Sequence, residues 1–199
     1  LDAYIGNDLT TWASQGHYNL ELQPVITVDM EYLKPATGAS LVVAQKAPDK
    51  WIEFHHALMA YFRSQFNAQN PAVINNLDSS WKQVKQIATE VGVPSDVIAT
   101  FPVNAVDSYL QASSTAWKEA SVDGRDPNKL GTPELVKDHS TLISRSGDLA
   151  ALRSTIMELY GFSESASPEA GTPVTPEVTE PSQSGDAQSQ SEGTTTSSN

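Results

Sequence analysis

No cysteine occurs anywhere in the chain, which excludes disulfide cross-links, zinc–thiolate sites and cysteine nucleophiles within these residues. Basic residues are scarce: twelve Lys and Arg against 24 Asp and Glu give a formal charge of −12. Nucleic acid and anionic membrane surfaces both select basic patches, so neither is expected as a partner. No run approaches the about 18 consecutive apolar residues of a membrane-spanning helix, and no span is expected within the chain. Nor does the start, "LDAYIGNDLTTWASQG", carry the basic and apolar regions of a signal peptide. Nucleotide-binding glycine loops, phosphate loops and G-x-S-x-G elbows are also missing. No cofactor and no metal are expected.

What is present divides in two. Residues 163–199 hold six acidic residues, no basic ones and no aromatic, in a background of Ser, Thr, Pro, Gly and Gln. Such a stretch cannot bury enough apolar surface to offset its ordering entropy, and it is expected to be a disordered acidic tail. Residues 1–162 carry the aromatic and aliphatic content of one folded domain.

Within that domain, Leu1, Ile5, Leu9 and Trp12 share a helical face that ends at Gly16, and no capping residue precedes them. "HYNLELQPV" alternates Tyr18, Leu20 and Leu22 with polar residues and reads as a strand closed by Pro24. "ATGASLVVAQKA" is small-residue-rich and helical. Asp49 is expected to cap a helix whose face is Trp51, Phe54, Leu58, Tyr61 and Phe62. Ser79 or Ser80 is expected to cap the next, with a stripe of Trp81, Val84, Ile87, Ala88 and Val91 stopped by Gly92. A short helix opens at Pro94, and Val106, Tyr109, Leu110 and Trp117 space out another. Leu135 and Val136 then predict a short strand, Ile143 the start of a second after a polar turn, and Asp148 the cap of a last helix ending at Gly161.

Strand and helix alternate at both ends around a block of helices. This argues for an α/β layer with an inserted helical subdomain at about 36–121. A single strand on the N-terminal side is too few for a stable sheet.

Two local patterns invite chemistry and fail to support it. His55 and His56 point about 100° apart on a helix, and their i+4 neighbours, Met59 and Ala60, are not ligands. Asp29 and Glu31 alternate on a loop with no partner motif and read as solvated acids. The four tryptophans are spread over separate helices as core anchors.

The order of segments resembles the DsbA-like branch of the thioredoxin superfamily over about 160 residues. "GHYNLELQPV" at 16–25 is similar to that family's strand after the active-site helix. "APDKWIEFHHALMAYF" at 47–62 and "WKQVKQIATEVGV" at 81–93 are similar to helices of its insertion, and Gly131-Thr132-Pro133 to its cis-proline loop. The resemblance implies a thioredoxin-like fold and an extracytoplasmic thiol–disulfide oxidoreductase. Its partners would be thiol- or disulfide-bearing proteins or peptides and a possible redox partner protein. Gly131, Thr132 and Pro133 would contact an extended substrate through the backbone of Thr132, with the helical insertion as lid and apolar groove. The family's Cys-x-x-C would stand before Leu1, so no catalytic residue is expected in the chain itself, and its N-terminal strand would be missing. The alternative is a natural cysteine-free relative that uses the same fold as a peptide- or protein-binding module.

Overall fold

The computed structural model describes residues 5–28, 30–68, 72–102, 106–143 and 149–163. All of them fall within one compact unit that ends at Ser163. Apart from Ser163, the tail expected at 163–199 therefore lies outside the described residues, as do Leu1, Asp29 and Asp148.

Helices dominate. They are α1 (Asn7–Ser14), α2 (Leu33–Lys46), α3 (Pro48–Asn67), α4 (Leu77–Val91), α5 (Ser95–Ile98), α6 (Asp107–Glu119) and α7 (Leu149–Tyr160). Among the described residues the only sheet is a two-stranded antiparallel hairpin, β1 (Val136–Lys137) and β2 (Thr141–Leu142), in which Val136 faces Leu142. The fold is thus coarser and more helical than the α/β sheet the resemblance implies.

The strand expected at Tyr18–Gln23 is not formed. Its alternation survives only at the start, with Tyr18 and Leu20 half-buried and Asn19 and Glu21 exposed, whereas Leu22 is exposed too, and no ladder bond from the described residues reaches the segment. Alternation describes the faces of a segment, whereas a strand requires a second backbone. The second strand opens at Thr141 rather than Ile143, after a turn in which Asp138 and His139 take positive φ of 50° and 56°.

Two apolar clusters hold the unit. The larger joins α2 to α5 through Val43, Phe54, Leu58, Val84, Ile87 and Phe101. The small-residue run of α2 has a packing reason: a Cβ on Gly38 would lie 3.1 Å from Pro102 Cγ and 3.2 Å from Val106 Cγ1. The smaller cluster joins α1, the hairpin and α7 through Ile5, Leu9, Trp12, Ile143, Leu152 and Ile156, with Tyr18, Leu20 and Leu135 packed against it.

Two caps differ from the sequence reading. Helix α4 starts at Leu77, so Asn76 is the cap and its Oδ1 accepts from the Ser79 N–H at 2.9 Å. Ser80 instead turns inward and donates to the Val73 carbonyl at 2.8 Å. Helix α3 starts at Pro48, which places Asp49 in the first turn, where its charge favours the helix dipole without capping. Gly92 does stop α4, in the left-handed conformation at φ 82°.

Candidate functional site

The Gly131-Thr132-Pro133 loop precedes β1 and lies at the surface, with Thr132 and Pro133 exposed. The Thr132–Pro133 peptide is cis, the geometry expected for it. Neither the N–H nor the C=O of Thr132 takes a partner among the described residues. Its hydroxyl lies 3.2 Å from that of Thr27, at the end of the Tyr18–Ile26 segment.

The next residue fixes the loop. Glu134 carries a carboxylate only 7% exposed, and its Oε2 accepts from Arg125 NH2 at 2.6 Å and from Trp117 Nε1 at 2.7 Å. Arg125 is 6% exposed and donates through NH1 to the Trp117 and Ala120 carbonyls at the end of α6. Its Nε is buried with no partner. A mobile loop does not need such a pair. Two charges taken out of water are costly, and what they gain here is a defined position for the residue after Pro133.

Helix α6 also holds the opposite side. Ser113 Oγ donates to the Pro24 carbonyl at 2.7 Å, the Ile26 N–H donates to Ser114 Oγ at 2.8 Å, and Gln23 Nε2 donates to the Ser113 carbonyl at 3.1 Å. One helix therefore positions both Thr27 and Thr132. Two grooves flank it. The first, of about 450 Å³, lies between Glu21–Gln23 and the α6 face of Tyr109, Ala112 and Ala116. The second, of about 430 Å³, lies between Ile26, Met30, Leu33 and Leu110. Thr132 and Pro133 line neither.

Below the segment, Tyr18 donates its hydroxyl to the Leu9 carbonyl at 2.9 Å and rests on Tyr160, ring centroids 4.7 Å apart. Burial pushes the Tyr18 phenol up to about 12, with Tyr160 and Asp8 adding to the shift.

The remaining candidates do no chemistry together. His56 Nε2 lies 3.4 Å from Thr10 Oγ1, and His55 packs by Trp51. Glu31 pairs with Lys34 at 3.1 Å. No group of three or more metal-ligating side chains forms among the described residues, and no described helix is long and apolar enough to cross a membrane. The sequence reading had found the loop but missed Trp117, Arg125 and Glu134. Their only prior signal is an acid directly after Gly-Thr-Pro and an arginine in a chain poor in bases.

No protein family, curated protein or solved structure matches the chain.

Proposed function

We propose that the chain acts as the substrate-holding part of a DsbA-like thiol–disulfide oxidoreductase, gripping an extended protein or peptide at Gly131-Thr132-Pro133. The observation that carries this reading is the exposed loop itself. Among the described residues Thr132 keeps both backbone groups free, while the buried Glu134 carboxylate ties the end of the loop to Arg125 and Trp117. A free N–H and C=O on one residue match the paired bonds that an extended peptide offers. Electron exchange needs a thiolate, so the dithiol that oxidises or reduces the substrate would be carried outside these 199 residues. Such chemistry suits an extracytoplasmic setting. A second reading rests on the absence of cysteine from the sequence: the same loop serves a binding module that performs no exchange.

Disulfide trapping tests the grip. Thr132→Cys should attack an unfolded peptide whose single cysteine carries thionitrobenzoate as a mixed disulfide, forming the protein–peptide disulfide and releasing thionitrobenzoate at least tenfold faster than Thr89→Cys, placed on the exposed side of α4. Equal rates at the two positions would overturn the reading. If the grip holds, thiol–disulfide exchange by the natural gene product separates the oxidoreductase from the binding module.

A further inference from the structure

The groove of about 430 Å³ between Ile26 and the first half of α6 is separated from the Thr132 loop by a single residue. Its volume is that of a ligand or side-chain pocket, which runs from about 300 Å³ upward. Ile26, Met30, Leu33 and Leu110 make it apolar, with Leu110, only 1% exposed, at its base. Met30 gives the wall an unbranched, adaptable side chain. Continuity sets this groove apart from the one at Glu21–Gln23. Ile26 directly precedes Thr27, whose hydroxyl lies 3.2 Å from that of Thr132. Between Gln23 and Thr27, by contrast, stand the Pro24 and Ile26 bonds to the serines of α6. An extended chain advances about 3.3 Å per residue and turns alternate side chains to one face. A peptide held at Thr132 therefore carries a side chain about two residues away to Ile26.

The rim is polar, and its charges are not equally matched. Lys34 donates to both Glu31 carboxylate oxygens, at 3.3 and 3.1 Å, so its ammonium already faces an acid. Asp107 and Gln111 stand one turn apart on α6, both exposed. Among the described residues neither of these two side chains takes a partner. The rim thus holds one unmatched acid beside an amide that can both donate and accept. An exposed acid is ordinary in an acidic chain. Here it stands at the mouth of an apolar pocket.

We propose that this groove is a side-chain pocket for the peptide gripped at Thr132, taking one large apolar residue with a basic residue two positions from it. The proposal rests on that grip and names the peptides it prefers. A leucine- or methionine-sized side chain covers Ile26, Met30 and Leu33 and takes apolar surface out of water. A lysine or arginine two positions away projects from the same face of the extended chain and meets Asp107. Lys34 does not oppose it, because Glu31 faces that ammonium. An acidic peptide would meet Asp107 and a chain of charge −12.

Methionine-methyl NMR on the full chain tests this, because the chain has only three methionines. Met30 lines the pocket, whereas Met59 sits on α3 and Met157 on α7. The probe is a nine-residue serine/threonine peptide with one central leucine and an arginine two residues to either side. The Thr132 amide reports the grip in the same titration. The Met30 methyl and the Thr132 amide shift together and saturably, while the Met59 and Met157 methyls do not move. Replacing the leucine by serine weakens binding about tenfold, and replacing both arginines by glutamate weakens it about threefold. Asp107→Lys, at an exposed position, reverses the preference between arginine and glutamate. A Thr132 shift without a Met30 shift would overturn the pocket and leave the grip standing. A Met30 shift without Thr132 would make the groove a separate site and overturn its link to the grip, and no shift at either overturns both. Equal binding of the leucine and serine peptides, or an arginine preference unchanged by Asp107→Lys, would also overturn the proposal.

Discussion

At the scale of single residues, Glu134 bears the heaviest duty. Its carboxylate is buried with Arg125 and the Trp117 indole, so removing it leaves a guanidinium in a low-dielectric site with one ion partner fewer. Removing one member of a buried pair typically costs 3–5 kcal/mol, whereas replacing both by apolar groups is often neutral or better. Glu134→Ala is therefore expected to lower stability by about 3 kcal/mol in urea denaturation. The double variant Arg125→Met with Glu134→Leu should recover most of that loss, helped by removal of the unpartnered Arg125 Nε. In the double variant the loop should hold peptide less well even though the fold is restored, because the pair's function is position rather than stability.

At the scale of elements, the Tyr18–Ile26 segment is held to α1 and α7 by Tyr18. An acid whose pKa is raised on folding gives up its proton less readily in the folded state than in the unfolded chain, where tyrosine ionises near 10. Its contribution is complete below about pH 10 and is lost as pH rises through about 12. Tyr32, buried and donating to the Leu58 carbonyl, shifts the same way through burial. Tyr18→Phe should cost about 1 kcal/mol near pH 7, the worth of one hydrogen bond. The gap to the unaltered chain should narrow as pH climbs from 10 toward 12, as urea midpoints will show; a gap that widens would contradict the assignment.

Elements were legible where one residue type suffices. The Ile5, Leu9 and Trp12 face, the α4 stripe and the Gly92 stop all follow from spacing alone. Capping was less so: Ser79 or Ser80 is the expected cap, but the helix starts at Leu77 and Asn76 takes the role. The segment at Tyr18 shows the limit of alternation, which cannot reveal whether a neighbouring backbone exists. In the site, Gly131-Thr132-Pro133 stood out. The Arg125–Glu134–Trp117 group joins residues from a helix end and two irregular stretches, with no spacing rule to connect them.

At the scale of the whole unit, α6 connects what the two apolar clusters separate. Val106, just before it, reaches the close approach of α2 at Gly38. Its serines hold the Tyr18–Ile26 segment, and Trp117 holds the loop through Glu134. Peptide arriving at Thr132 would thus be sensed along α6, and the Trp117 indole N–H is the natural reporter. The most direct measurement is an NMR titration of the isotope-labelled chain with the cysteine-free form of the unfolded peptide. The account predicts that the largest shifts fall on the Thr132 amide, the Thr27 amide and the Trp117 indole N–H, together and saturably. Shifts confined to α2–α5, or none at Thr132, would contradict it.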